Sequence, residues 1–143
     1  VEFRHQSWFN ESFKEETLSF LTQQNIIHAV CDEPQVGQGS VPMINRITNE
    51  TAFVRYHGRN VHGWTKKDMT DDAWREVRYL YDYSEQELKT LIDKVKVLEH
   101  KAKDIYVVFN NNSGGDAAEN ALTLQKILNI KPDGLNPTQM DLF

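Results

Sequence analysis

The stretch from residue 105 to residue 121 constrains the fold more than any other part of the sequence. It begins with the apolar run Ile-Tyr-Val-Val-Phe, which is rich in β-branched and aromatic residues and is typical of a strand buried on both faces. Polar residues and a glycine pair follow at positions 110–115, and an amphipathic helix pattern begins at Asp116. In parallel α/β proteins, ligands bind where strands end and helices begin. The stretch therefore predicts a parallel α/β fold with a binding site at this edge of the sheet.

Strand and helix patterns alternate along the rest of the chain. Strands are predicted at residues 1–4, 26–31, 52–57 and 105–110. The clearest helix is predicted over residues 84–102, where Ser84 and Glu87 form a capping box ahead of an unbroken apolar stripe. Further helices are predicted to end near Asn25 and to cover residues 70–79 and 116–128. The segment 33–51 is predicted to be a long functional loop with at most one helical turn near residues 42–47.

Four parallel β/α units would make half of a TIM-type (β/α)8 barrel or a small open sheet. Half a barrel leaves two sheet edges and an apolar inner surface uncovered, which is unfavourable in water. We therefore expect a missing N-terminal half or a second copy of the chain to cover them. Because the chain begins at Val1 within a predicted strand, we also expect that residues preceding it have been cleaved, are disordered or have been excluded.

The composition argues against several classes of protein. A net charge of -5 argues against bulk electrostatic binding of nucleic acid, although it is compatible with a local basic cleft. Cys31 is the only cysteine, so the chain has no internal disulfide and a reducing compartment is expected. No apolar run is long enough for a membrane span, and no signal peptide pattern is present. The sequence predicts a soluble cytoplasmic protein without a membrane partner.

Several spaced motifs resemble one known family. The motifs are Val1-Glu2-Phe3-Arg4-His5, Ser7-Trp8, Asp32-Glu33-Pro34, Tyr56-His57-Gly58-Arg59, Arg78-Tyr79-Leu80-Tyr81 with Tyr83-Ser84, and Phe109-Asn110-Asn111 followed by Gly115 and Asn120-Ala121. In this order they resemble the YecE-like family, domain of unknown function 72. The resemblance implies a TIM-type barrel of about twice this length, with residues 1–130 as its C-terminal half and residues 131–143 as an exposed tail. The family has no settled activity, so the resemblance implies a fold more than a function.

In a barrel, the side chains near the carboxyl ends of the strands face one opening. This rule predicts a shared site that contains both catalytic and substrate-binding candidates. Glu2 and Arg55 are expected to lie deeper in the barrel than these residues. The catalytic candidates are His5, Asp32, His57 and Asn110, and the substrate-binding candidates are Arg4, Arg59, Asn111 and Asn112. Such groups suit acid–base chemistry or anion binding. The alternative is that Glu2, Arg4 and Arg55 form an interior ion-pair network.

The segment Ser113-Gly114-Gly115 opens a predicted helix and is a candidate phosphate cradle. Free backbone N–H groups and the helix dipole favour an anion there, which adds Gly114 and Gly115 to the substrate-binding candidates. However, Asp116 at the helix start would repel an anion, and a plain turn that needs positive φ explains the glycines equally well.

A metal cofactor stays open at this stage. His5, His57, Asp32 and Glu2 are suitable ligand types for zinc or manganese, but they lack the close spacing of metal-binding motifs. The sequence therefore assigns no metal ligands, and a divalent metal is only an alternative.

Aromatic and basic residues alternate between positions 56 and 83. They are Tyr56, Trp64, Trp74, Tyr79, Tyr81 and Tyr83, with Lys66, Lys67, Arg75 and Arg78 among them. This pattern suits stacking on single-stranded or flipped bases. The alternative is that these side chains pack a long loop.

The last five residues, Gln139-Met140-Asp141-Leu142-Phe143, resemble the pentapeptide by which bacterial polymerases and repair proteins dock on the DNA sliding clamp. In that motif the Gln makes polar contacts while Leu and Phe fill apolar pockets. The alternative is a tail that folds back onto its own domain. The resemblance implies the sliding clamp as a partner.

Two functions from different classes are compatible with these patterns. The first is a metal-assisted phosphodiester hydrolase that acts on a phosphate-bearing or nucleic-acid substrate and is recruited to the clamp. The second is a non-catalytic protein that binds an anion or a nucleotide.

Overall fold

A computed structural model describes residues 1–131, which form a parallel three-stranded sheet with helices against it. The strands are β1 (Ala29–Asp32), β2 (Thr51–Tyr56) and β3 (Asp104–Phe109), and they pair in this order. The register places Arg55 between Cys31 and Val108, so these three residues cross the sheet in one row. All three strands end at the same edge, as parallel pairing requires.

Five α-helices accompany the sheet in this part of the chain. They are α1 (Lys14–Gln23), α2 (Val61–Trp64), α3 (Asp71–Arg78), α4 (Glu85–Glu99) and α5 (Asp116–Ile127), and a 3-10 turn (Gln6–Phe9) precedes them. The predicted capping box at Ser84 and Glu87 is confirmed, because each side chain bonds the backbone of the other. Within residues 1–131, no helix is both long enough and apolar enough to span a bilayer.

The predicted TIM-type barrel is wrong, and so is the prediction that the chain is half of one. Residues 1–4 were expected to form a fourth strand, but they do not form one. The backbone of Val1 bonds Ile27 and Ala29, after which the segment leaves β1 and Phe3 packs against Trp8 at 5.0 Å between ring centroids. The described chain is therefore a small α/β fold with an open sheet of three strands.

The segment 33–51 was predicted to have at most one helical turn near residues 42–47, and the structure has none there. Between β1 and β2 the chain forms neither helix nor strand and is held by local polar contacts. Thr48 Oγ1, for example, accepts a hydrogen bond from the His28 backbone at 2.9 Å and donates one to the Ile26 carbonyl at 2.6 Å. Such contacts stabilise a loop without regular structure.

The core lies mainly on one face of the sheet. There Val30, Val54 and Tyr56 are buried against α4, together with Leu88, Leu91 and Leu98. The opposite face is covered at β1 by Phe3 and Phe9 but is open at β3, where Tyr106 is 58% exposed and Val108 is 38% exposed. The expectation that further polypeptide covers this open face stays a prediction.

Candidate functional site

Glu2 is the centre of a polar cluster at the carboxyl edge of the sheet. Its carboxylate lies 3.1 Å from His57 Nε2 and 2.6 Å from Arg4 Nη2, and it also pairs with Arg55. Arg55 Nε donates to Asn110 Oδ1 at 2.9 Å, which links the end of β2 to the end of β3. We call Glu2, Arg4, Arg55, His57 and Asn110 the Glu2 cluster. It brings together His57, Asn110 and Arg4 as the sequence predicted.

The protonation states in the Glu2 cluster follow from its contacts. Burial would raise the pKa of Glu2, but hydrogen bonds from His57 and Arg55 and the charge of Arg4 lower it to about 2. Burial also lowers the pKa of His57, and the carboxylate of Glu2 only partly opposes this. At neutral pH Glu2 is therefore ionised and His57 is neutral. With two arginines and one carboxylate, the Glu2 cluster carries a net positive charge.

The tautomer of His57 is fixed by the same contact. Ionised Glu2 only accepts hydrogen bonds, so the ring proton of His57 lies on Nε2. Nδ1 is then an acceptor, and it is buried with no hydrogen-bond partner anywhere in residues 1–131. The side chain itself is 1% exposed. The cluster thus holds an oriented imidazole with one free acceptor nitrogen.

Asp32 and Arg59 belong to a second network, in which they bind each other. The Arg59 guanidinium donates to both carboxylate oxygens of Asp32, each at 2.8 Å, and this raises the pKa of Arg59 further. The Tyr83 hydroxyl also donates to Asp32 at 2.8 Å and accepts from the Gly58 backbone at 2.8 Å. Glu87 accepts from Arg59 at 3.1 Å. This network is well suited to fix the loop after β2.

His5, Asn111 and Asn112 do not reach the Glu2 cluster: no hydrogen bond in the described chain joins them to it. His5 is exposed, and its ring lies 2.8 Å from Ser7 Oγ at the start of the 3-10 turn. Asn111 is fully buried and donates to the Tyr81 carbonyl at 2.7 Å and to Asn120 at 2.6 Å. These contacts hold the fold together.

The Gly114-Gly115 segment has the geometry of a helix-initiating turn. Gly115 is the N-cap of α5 with φ +89°, a conformation that favours glycine. Asp116 and Glu119 place two carboxylates in the first turn, and a Cβ added at Gly114 would lie 2.7 Å from an Asp116 oxygen. Negative charge at this position opposes an anion, so the geometry favours the turn over the phosphate cradle.

An aromatic groove adjoins the Glu2 cluster. It has a volume of about 760 Å³ and is lined by Arg4, Val36, Gly37, Gln38, Gly39, Trp64, Thr65, Lys66, Trp74, Arg78 and Tyr79. The ring of His57 lies beneath it, 5.8 Å from that of Tyr79 and 6.2 Å from that of Trp64. Arg4 belongs to both the groove and the cluster, so the two form one continuous site.

Arg78 is a candidate that the sequence predictions did not single out. Its guanidinium lies 4.5 Å from the ring centroids of Trp64 and Trp74 and 5.2 Å from that of Tyr79. It makes no ion pair within the described residues, and its buried Nε has no acceptor there. The interleaving of aromatic and basic residues was the available signal, but it did not indicate which cation lies among the rings.

Glu33 is a second residue that the sequence predictions missed. It directly follows β1 and is 4% exposed. One carboxyl oxygen accepts from the Val41 backbone at 2.6 Å, while Oε2 is buried without a partner in the described part of the chain. Burial raises the pKa of Glu33 to about 7, although the Val41 hydrogen bond opposes the shift. The available sequence signal was its place in the Asp32-Glu33-Pro34 motif, directly after a predicted strand.

The donors present fit a metal poorly. The ligand atoms of Glu2, Cys31 and His57 all lie within 4.8 Å of one another. However, Arg4 and Arg55 neutralise Glu2 and would repel a cation, and burial with the charge of Glu2 raises the pKa of the Cys31 thiol to about 12. The four metal-ligand candidates from the sequence do not form one site, because Asp32 pairs with Arg59 and His5 bonds Ser7.

Known proteins similar to this chain agree on one family. UPF0759 protein YunF of Bacillus subtilis strain 168 is 51% identical over 144 residues, covering 100% of this chain and 51% of that protein. A solved DUF72 protein from Enterococcus faecalis V583 is 42% identical with a TM-score of 0.89, covering 99% of this chain and 50% of that one. Another from Thermotoga maritima MSB8 is 42% identical with a TM-score of 0.76, covering 90% and 45%.

The chain thus spans about half the length of these relatives. The model of the family described as "Protein of unknown function DUF72" matches residues 1–141. The match covers nearly the whole chain, so the family resemblance predicted from the spaced motifs is confirmed. On these grounds, the chain belongs to the DUF72 family.

Proposed function

We propose that the chain binds a phosphate-bearing or similar anionic ligand at the Glu2 cluster. The observation that carries this proposal is that two arginines share one carboxylate. The side chain of Arg4 is 48% exposed and that of Arg55 is 24% exposed, whereas that of Glu2 is 14% exposed. An approaching anion therefore meets guanidinium donors before it meets the carboxylate, and the planar guanidinium fork suits phosphate geometry.

The position of the cluster supports the same proposal. It lies at the carboxyl ends of parallel strands, where open α/β sheets bind ligands. His57 is neutral and adds no charge, while the amide of Asn110 is a further group for a polar ligand. The whole chain carries a net charge of -5, so binding would depend on this local positive field.

The proposal is tested by titrating the full chain with inorganic pyrophosphate in low salt by isothermal calorimetry. We expect saturable binding that weakens about 10-fold or more in Arg4→Gln, because one charge-assisted contact is lost. Arg46→Gln is the matched control, since Arg46 pairs with exposed Glu15 away from the cluster. Binding that is absent in the wild type, or equally weakened by both substitutions, would refute the proposal.

A phosphodiester hydrolase is the second candidate, and the orientation of His57 favours it. With Nε2–H held by Glu2, the unpartnered Nδ1 is the ring atom that would accept a proton, provided that the attacking water or a substrate hydroxyl reaches this buried nitrogen. The assay is turnover of bis(p-nitrophenyl) phosphate with added Mg²⁺, Mn²⁺ or Zn²⁺. Turnover that is lost in His57→Gln and kept in His100→Gln would support hydrolysis. If the wild-type chain shows no turnover with any of the three metals, hydrolysis is ruled out and anion binding remains as the proposed function.

Recruitment to the sliding clamp is a separate proposal that rests on the sequence of the tail. Gln139, Met140, Asp141, Leu142 and Phe143 lie outside the described residues, so only their sequence supports it. The test is binding of the full chain to a bacterial sliding clamp by surface plasmon resonance. We expect Leu142→Ala with Phe143→Ala to abolish binding and Thr138→Ala to preserve it. No binding by the wild type would remove this partner.

A further inference from the structure

We infer that the aromatic groove holds the planar base of a nucleotide unit whose phosphate is bound at Arg4. This inference rests on the proposed anion site, because it extends that ligand from a phosphate to a phosphate carrying a ring. The unit is either a free nucleotide or part of a single strand, since both present the same base and phosphate. Arg4 connects the two subsites, as it contacts Glu2 and also lines the groove.

The groove has the size and wall chemistry of a ligand site. Its volume of about 760 Å³ lies within the range of roughly 300–1,000 Å³ that is usual for small-molecule pockets. Three cations line it, namely Arg4, Lys66 and Arg78, and none of its walls in residues 1–131 is a carboxylate. Lys66 pairs with Asp71, but both side chains are largely exposed, so this pair is readily exchanged for a ligand.

The guanidinium of Arg78 packs on three aromatic rings, but these contacts leave one of its donors unsatisfied. Stacking on rings stabilises the charge of an arginine, but a buried N–H donor is nearly always hydrogen-bonded as well. Arg78 has no ion pair in the described chain, and its Nε–H is buried without an acceptor. A ligand oxygen or ring nitrogen would satisfy this donor, and guanidinium planes stack on bases.

The aromatic rings around Arg78 are held before any ligand arrives. Trp64 is 4% exposed and forms the floor, while Trp74 is locked because its Nε1 donates to the Gly63 carbonyl at 2.9 Å. A Cβ at Gly63 would lie 2.5 Å from the Val77 carbonyl oxygen, so glycine is what lets α2 approach α3 this closely. Rings that are already ordered lose little conformational entropy when a base stacks on them.

The test compares four probes on the full chain, followed by tryptophan fluorescence and calorimetry in low salt. They are a short oligothymidylate, an abasic oligomer of the same length, thymidine monophosphate and inorganic pyrophosphate. We expect oligothymidylate to bind about 10-fold or more tightly than the abasic oligomer, because base stacking contributes on this scale. Thymidine monophosphate that binds as tightly as the oligomer identifies a free nucleotide as the source, and a much weaker monophosphate identifies a single strand.

Substitutions inside and outside the aromatic groove test whether the groove causes the preference for a base-bearing oligomer. Arg78→Lys keeps the charge but loses the planar group, and Trp74→Leu removes a ring; both should abolish the advantage of the base-bearing oligomer. Arg75→Lys, on the same helix but exposed and paired with Asp72, and Trp8→Leu, outside the groove, should preserve it. Arg78→Lys is the conservative change if Trp74→Leu fails to fold.

The outcomes separate the inference from the proposed function. Abasic oligomer and pyrophosphate that bind as tightly as oligothymidylate would overturn the base subsite and leave the anion site intact. A base preference that persists in Arg78→Lys and Trp74→Leu would also overturn it. Failure of all four probes to bind would refute the anion site and the inference together.

Discussion

His57 Nε2 donates a hydrogen bond to Glu2 Oε1 over 3.1 Å, although the two residues are 55 positions apart in the chain. Glu2 lies on the N-terminal segment beside β1, and His57 directly follows β2. The segment that failed to form a strand therefore supplies the carboxylate around which the cluster is built. The open sheet, rather than a barrel, brings these groups to one edge.

Replacing Glu2 with glutamine should lower the free energy of unfolding by about 2 kcal/mol, because Arg4 and Arg55 would lose their shared carboxylate while partly buried. Urea denaturation at pH 7 measures the change. Glu15→Gln breaks an exposed pair with Arg46 and should have no measurable effect. Equal losses in the two variants would show that burial of the Glu2 cluster contributes nothing.

Gly58→Ala should destabilise the protein by at least about 2 kcal/mol, since Gly58 has φ +85° and an added Cβ would lie 2.6 Å from Tyr81 Cβ. Gly115→Ala is the matched control, because φ is +89° there but no atom lies within 4 Å of the added carbon. The control should cost only about 1 kcal/mol. Thermal or urea unfolding distinguishes them, and equal costs would disprove the steric conflict with Tyr81.

Tyr83→Phe should lower the free energy of unfolding by about 2 kcal/mol, because the Gly58 N–H and Asp32 both lose a buried hydrogen-bond partner. Tyr106→Phe is the control, as Tyr106 is 58% exposed. Urea denaturation compares the two. A neutral Tyr83→Phe would mean that the Asp32 network does not fix the loop after β2.

The difference in stability between the wild type and Glu33→Gln should depend on pH. The pKa of Glu33 is about 7 in the folded chain and about 4.5 as its ordinary value, so the protonated carboxyl stabilises the fold below pH 4.5 and this contribution is lost as pH rises through 7. Relative to the wild type, Glu33→Gln should gain about 3 kcal/mol between pH 4.5 and pH 8.

Taking the difference between wild type and variant removes the contribution of other groups. Burial lowers the pKa of His28 to about 4. The stability that neutral His28 contributes to the fold is therefore lost as pH falls below 6.5, which is the opposite direction to the loss at Glu33. Urea denaturation at several pH values measures the difference. A flat difference for Glu33→Gln would mean that Glu33 is ionised throughout.

The sequence predicted the elements whose patterns are local. The helix α4 and the strands β2 and β3 lie within three residues of their predicted bounds, because capping residues and apolar runs act over short distances. The prediction of a strand at residues 1–4 was wrong because Val1 and Phe3 form a very short apolar pattern. Such a pattern does not distinguish a strand from an irregular segment whose Phe3 ring packs against Trp8. The run at β3 also suggested burial on both faces, yet Tyr106 is exposed.

The candidate site was predicted in part. The rule that parallel strands share one edge placed His57 near Asn110, and the two are linked through Arg55 and Glu2. The rule did not predict that Asp32 would bind Arg59. It also did not distinguish Asn111, which is buried and holds the fold, from Asn110, which belongs to the Glu2 cluster. Which side chains pair across the loops is decided by tertiary packing, and the sequence pattern carries no signal for it.

The anion site at the Glu2 cluster is tested most directly by a crystal of the full chain soaked with tungstate, whose anomalous scattering locates a phosphate-like anion. We expect a peak within hydrogen-bonding reach of the guanidinium groups of Arg4 and Arg55, and loss of that peak in Arg4→Gln. A peak at the start of α5 beside Gly115, or an empty Glu2 cluster at saturating tungstate, would contradict it.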